Sequence, residues 1–230
     1  MPASGTETLG RRGFLIGALA AGTLALPGVA RAQAAAVDPA ADAVRRLLSR
    51  ATQNAFARLS ASQGFWNSRV ARFPLPILFR KTPAVAGTPL ANESFRFELE
   101  YKLNIFAEAG ARGAEAGVQD AARKLAVADP AAILQGRITS ATSALRLETG
   151  VGLVNAMIPP LQQTLTAQND PTVTQAVALL AGVTLHDVAH AVALVADNGI
   201  WYEIGVAEAR IRANPEATGD AALVAALRRA

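Results

Sequence analysis

Residues 184–215 read TLHDVAHAVALVADNGIWYEIGVAEARIRANP. Leu185, Val188, Val192 and Val195 recur at spacings of three and four, the period of one helix face, and the stretch stops at Asn214-Pro215, where a helix ends. Thr184 stands one residue ahead of the apolar pattern and Asp187 three residues after it. A hydroxyl and an acid so spaced form a capping box, with the acid at the positive end of the helix dipole. The segment therefore reads as one long helix. It also contains both histidines of the chain, His186 and His190, which sit four apart with Asp187 between them.

The rest of the chain repeats this grammar. Asp38-Pro39, Asp129-Pro130 and Asp170-Pro171 each place a capping acid before a first-turn proline. From Asp38, the residues Val44, Leu47, Leu48, Ala51, Ala55 and Leu59 predict an amphipathic helix to about Ser60. Phe95, Leu99, Leu103, Phe106 and Ala107 predict another from about Asn92 to Leu125, with Gly110, Gly113 and Gly117 as a face for close helix contact or a kink. A short helix follows Asp129 and ends at Gly136. Residues 139–168 predict a helix broken or bent at Pro159-Pro160, since proline removes a backbone donor and clashes with the preceding turn. Asp170 opens a further helical turn closed by Gly182, and Thr218 to Ala230 reads as a last short helix. No period-two run is long enough to demand a sheet and no fixed repeat is present. The expected fold class is all-α, as a single multi-helix domain over residues 38–230.

Residues 64–90, GFWNSRVARFPLPILFRKTPAVAGTPL, depart from this pattern. Pro74, Pro76, Pro83 and Pro89 forbid a continuous helix, yet Phe65, Trp66, Phe73, Leu75, Ile77, Leu78 and Phe79 are too apolar for a free linker. The segment is expected to be an irregular strap laid over the helices, or a lid on an apolar pocket.

The 230 residues are 51% hydrophobic and 5% aromatic, enough for one sizeable core. Lys+Arg and Asp+Glu number 22 and 18, so the formal charge of +4 provides no strong field for nucleic acid. Part of that charge lies in the N-terminal stretch TLGRRGFLIGALAAGTLALPGVARAQA, residues 8–34. Its twin arginines Arg11 and Arg12, apolar run from Phe14 to Leu26, and small residues after Pro27 have the form of a twin-arginine (Tat) export signal over residues 1–34. Cleavage after Ala32 or after Ala34 fits equally. The apolar run is short and glycine-interrupted, so no stable membrane span is expected in the mature chain. With no cysteine there is neither a lipidation site nor a disulfide. The expectation is a soluble periplasmic or extracytoplasmic protein that meets the Tat translocase during export.

QGFWN at 63–67, FPLP at 73–76, FELEYKLN at 97–104, ATSALRLET at 141–149 and NGIWYEIGVAEARIRANP at 198–215 together resemble one family. It is the bacterial envelope family known as domain of unknown function 4197, and the resemblance covers essentially the whole mature chain. It implies an all-helical exported domain, and it carries over no catalytic residue. Where relatives tend to have ATDYFR, this chain has Ser143, Ala144 and Leu145 before the retained Arg146, so a site formed by the missing acid and aromatics would be altered here. Relatives place acids near the position of His190, which speaks against a metal centre common to the family.

Chemistry-bearing constellations are few. His186, Asp187 and His190 could serve a metal-dependent hydrolase, with two imidazoles binding one ion and the acid as base. A third protein ligand would have to be a distant carboxylate, and Asp187 is one methylene shorter than the usual glutamate. The favoured reading leaves these residues as a helix start, with no metal and no cofactor. No serine or cysteine nucleophile motif and no glycine-rich phosphate loop is present. Glu98 and Glu100 point to different sides of a helix and are not a ready carboxylate pair. Glu98 could instead be a buried acid paired with Arg146. Two aromatic pairs remain, Phe65-Trp66 and Trp201-Tyr202, read as core anchors or as the lining of a groove. Glu208 and Arg212 read as an i,i+4 pair on a solvated helix end.

These residues support a non-enzymatic binding module of the cell envelope. Its candidate surface comprises Phe65, Trp66, Asn67, Glu98, Arg146, Trp201 and Tyr202, and its partner is an apolar small molecule or an envelope protein.

Overall fold

In a computed structural model, residues 38–80 and 87–229 are described. The export-signal expectation for residues 1–34 lies outside them, as do Pro83 and its neighbours in the strap. Among the described residues there are nine α-helices and no strand. They are α1 (Pro39–Leu59), α2 (Ile77–Arg80), α3 (Glu93–Lys124), α4 (Pro130–Leu134), α5 (Ser140–Thr149), α6 (Gly152–Gln168), α7 (Pro171–Ala178), α8 (Leu185–Ala213) and α9 (Ala221–Arg229). The expected all-α domain is the observed one.

The capping grammar explains the boundaries. Asp38, Asp129 and Asp170 each accept a backbone N–H of the first turn through the side chain, and a proline holds the first helical position behind each. Asn92 caps α3 in the same way. At α8 the Asp187 N–H donates to Thr184 Oγ1 (3.3 Å) while Asp187 Oδ2 accepts the Thr184 backbone N–H (2.8 Å), a complete capping box.

The long helices α1, α3, α6 and α8 enclose the core, and Leu47, Phe56, Leu103, Phe106, Met157, Leu161, Val192 and Ile200 are buried between them. The packing of α3 on α6 settles two expectations. Gly110 meets Leu161 and Met157 so closely that a Cβ there would lie 2.9 Å from either side chain, and a Cβ on Gly113 would lie 2.4 Å from Pro160 Cγ. Two members of the glycine face are therefore used inside the fold, against α6; Gly117 faces open space. Pro159 and Pro160 stand within a continuous α6, so of the expected break or bend the break is absent. The Pro160 ring packs into the space left by the absent side chain of Gly113 on α3. The interruption falls earlier, at Gly150, whose φ of 54° separates α5 from α6.

The strap is part of the core wall. Phe65, Phe73, Leu75 and Phe79 are buried, and Phe65 and Phe73 meet edge to face at 6.1 Å. Their side chains fill the interior instead of roofing an open pocket, while Ile77 points outward. Asn104 of α3 holds the strap backbone from one side: its Nδ2 donates to Phe73 O (2.9 Å) and its Oδ1 accepts Phe73 N–H (3.2 Å). Gly199 of α8 holds it from the other side, where a Cβ would lie 2.7 Å from Ala71 O. No helix among the described residues is long and apolar enough to cross a membrane.

Candidate functional site

The structure divides the two aromatic pairs. Phe65 and Trp201 are core residues, whereas Trp66 is half-buried and Tyr202 is 60% exposed. Adjacent residues on a helix or tight turn face different directions, so burying one of each pair leaves the other outside. Trp201 anchors α8 and donates its indole N–H to Asp197 Oδ1 (2.9 Å), one turn earlier.

Trp66 is the centre of a partly exposed cluster. Its ring meets Phe97 edge-on at 5.3 Å and Tyr101 at 5.1 Å, and the Arg72 guanidinium lies 3.4 Å from its centroid. Arg72 also donates to Glu100 Oε1 (3.0 Å), which fixes the cation over the ring. Phe97 is 58% exposed. Asn67 lies beside this cluster in a shallow hollow of about 570 Å³ bounded by Arg69, Arg72, Pro74 and Glu100. Phe97, Tyr101 and Arg72 were missing from the sequence-derived surface. The i,i+4 spacing of Phe97 and Tyr101 on α3 was the available signal, but it does not say what they meet across the fold.

The other candidates sit elsewhere in the bonding pattern. Glu98 is exposed and pairs with Lys102 at 3.7 Å, so it is neither buried nor the partner of Arg146. Arg146 instead joins α5 to α8 by donating to Asn198 Oδ1 (2.6 Å) and Asp197 Oδ2 (3.2 Å). Burial pushes the Asp197 carboxyl above its usual range, against the opposing pull of the Trp201 indole and Arg146.

His186, Asp187 and His190 lie on the exposed start of α8. His186 Nδ1 is 3.0 Å from Gln162 Oε1, and Asp187 is occupied by the capping box. Hydrogen bonds from the Thr184 hydroxyl and backbone N–H hold the Asp187 carboxyl below the usual carboxylate range, with smaller help from the two imidazoles. Among the described residues no group of three His, Cys, Asp or Glu side chains is gathered closely enough to hold a metal ion.

The buried acids are Glu108, Glu203 and Glu208, none of them foreseen as such. Glu203 accepts from Arg58 and from Ser68 Oγ (2.8 Å), and Glu208 is bound to Arg212 and to the first turn of α5. The Glu208–Arg212 pair exists as expected but is interior, not a solvated helix end.

The family described as protein of unknown function (DUF4197) matches residues 35–226. This chain belongs to that family. No curated protein and no solved structure matches it. The stretches that carry the resemblance hold the core and the strap in this structure: Asn104 and Gly199 clamp the strap, Glu203 ties it to α1, and Arg146 ties α5 to α8.

Glu108, on α3, provides a test of burial. Desolvation pushes its carboxyl up; the Gln63 and Gly64 backbone N–H groups and Arg112 act against this, and Oε1 has no hydrogen-bond partner. Its folded value exceeds its unfolded one, so folding takes up a proton between them. The penalty is then fully present at neutral pH and is relieved as pH falls through the raised value. Relative to Glu108→Gln, the wild type should gain stability in urea denaturation as pH is lowered from neutrality through the raised value toward the unfolded carboxyl's 4.5. An unchanged difference would mean that the acid ionises alike folded and unfolded.

Proposed function

We propose that this DUF4197 chain is a non-enzymatic interaction module of the cell envelope, exported through the Tat translocase and soluble after signal removal, that docks a protein partner through Trp66, Phe97 and Tyr101. The reading rests on one observation: a mostly exposed phenylalanine is held with a tryptophan and a tyrosine in fixed edge-on geometry, with an arginine stacked on the tryptophan. Aromatic and arginine side chains fixed before binding lose little entropy when covered, and such groups dominate binding energy at protein interfaces. The surface is shallow and open, which suits a protein face better than a small apolar molecule, whose pocket must enclose most of it. The twin-arginine segment at 8–34 supports the envelope location.

A photo-crosslinking phenylalanine analogue at position 97, expressed in the native host, tests this. The expected result is a discrete heterologous adduct in the extracytoplasmic fraction that is lost when Trp66→Ala and Arg72→Ala are combined with the label. An adduct of two copies of this chain would replace the partner reading with self-association. No adduct, or one insensitive to those substitutions, would remove the surface from consideration.

A further inference from the structure

Across the turn formed by Asn67 and Ser68, a second hollow of about 530 Å³ opens between the end of α1, the loop after it and α8. Its charged lining consists of the guanidiniums of Arg58, Arg69 and Arg210 and the carboxylate of Glu203. Glu203 is buried and both its oxygens are used, one by Arg58 and the other by Ser68 Oγ. It therefore offsets one cation. Arg69 and Arg210 are exposed and, among the described residues, have no ion-pair or side-chain hydrogen-bond partner.

The loop carrying this lining is tightly folded. A Cβ on Gly64 would lie 2.3 Å from Arg58 O and 2.6 Å from Leu59 O, so the chain doubles back against the last turn of α1. Gln63, just before it, adopts φ 57°, a left-handed conformation that a non-glycine residue rarely takes. The Gln63 and Asn67 side chains line the cleft and are joined by a long hydrogen bond from Asn67 Nδ2 to Gln63 Oε1 (3.5 Å), which leaves the Gln63 amide as a donor to a ligand.

We propose that this cleft binds a small phosphate- or carboxylate-bearing ligand between Arg69 and Arg210, with Arg58 at its floor. Two unpaired guanidiniums lining one concavity repel each other and focus a positive potential into it, which an oxyanion relieves. The planar guanidinium fork matches phosphate and carboxylate oxygens in paired hydrogen bonds. Arg58 spends one nitrogen on Glu203, its side chain is 44% exposed, and its remaining donors are free to complete the cradle. The cleft lies across the Asn67–Ser68 turn from the ring of Trp66 and shares Asn67, Ser68 and Arg69 with the hollow beside it, while Arg58 and Arg210 line the cleft alone.

The test is binding of inorganic phosphate to the full chain, followed by backbone amide NMR, and cosedimentation with phosphatidylglycerol vesicles. Saturable shifts are expected at Gly64, Asn67, Ser68 and Arg69. Arg69→Gln combined with Arg210→Gln should weaken phosphate binding by about tenfold or more, since charge-assisted bonds are lost at both sites. Arg50→Gln, outside the cleft, should leave it unchanged. Neither substituted cleft arginine holds an internal bond, so unfolding temperature should not move and serves as the folding control. Vesicle binding lost in the same double variant identifies the anion as a lipid headgroup. Phosphate binding without vesicle binding identifies it as a soluble ligand, and both results support the cleft. Equal phosphate binding by wild type and double variant would mark an adventitious ion only and overturn the proposal, as would binding of neither probe.

Discussion

Glu208→Ala is expected to remove about 3–5 kcal/mol of stability, the cost of leaving one member of a buried ion pair behind. Glu208 is fully buried. Its Oε2 accepts the Thr142 N–H (2.7 Å) and hydroxyl (2.6 Å), and its Oε1 accepts Ala141 N–H (3.1 Å) and Arg212 Nε (2.9 Å). These contacts do the work of a helix cap. Thr139 makes no side-chain cap to α5, so the orphan donors of that helix are satisfied from α8, more than sixty residues away in sequence. Arg212 completes the joint by donating to Leu134 O (2.7 Å) and Ile133 O (2.9 Å) at the end of α4.

Truncation would strand a buried guanidinium and two helix N–H groups together. For a domain of this size the melting temperature should fall by about 10 °C, read by far-UV circular dichroism. Glu208→Gln retains an acceptor but presents an amide NH₂ to donors, and should lose less. The combination of Glu208→Ala and Arg212→Ala should cost less than the two single losses added, because the stranded charge is gone as well. A loss below about 1 kcal/mol for Glu208→Ala would show that solvent, not the protein, satisfies this joint.

That joint also marks where sequence reading reaches its limit. An i,i+4 glutamate and arginine look the same on a solvated helix and on one packed by neighbours on several sides; only the arrival of α5 and α4 decides. Helix starts were legible because their chemistry is local: the three Asp-Pro pairs and the Thr184–Asp187 box each act within one turn. Pro159-Pro160 predicts a break or bend from local chemistry alone, and the sequence does not show that α6 continues through both or that Pro160 packs against Gly113 of another helix. The same reason hid the site. Trp66 could be named from sequence, but its neighbours Phe97 and Tyr101 lie some thirty positions on and become neighbours only when the strap folds over α3.

The strap's attachment can be tested from both of its sides. Asn104→Leu keeps the approximate volume of the side chain but withdraws its amide from Phe73, leaving a buried N–H and a buried carbonyl without partners. At about 1–3 kcal/mol for each of the two unsatisfied groups, the expected loss is about 2–6 kcal/mol, measured by urea denaturation. Gly199→Ala attacks from α8: the new methyl would lie 2.7 Å from Ala71 O and 2.8 Å from Ala71 Cα, and backbone must move to admit it. Each change displaces the segment that carries Trp66 and Arg72 without touching either residue. If the aromatic surface is a docking site held in shape by its backbone, both variants should lower crosslinking from position 97 in conditions where they remain folded. Full crosslinking despite the loss of stability would separate the two roles, leaving the clamp to the fold and the recognition to side chains on α3 alone.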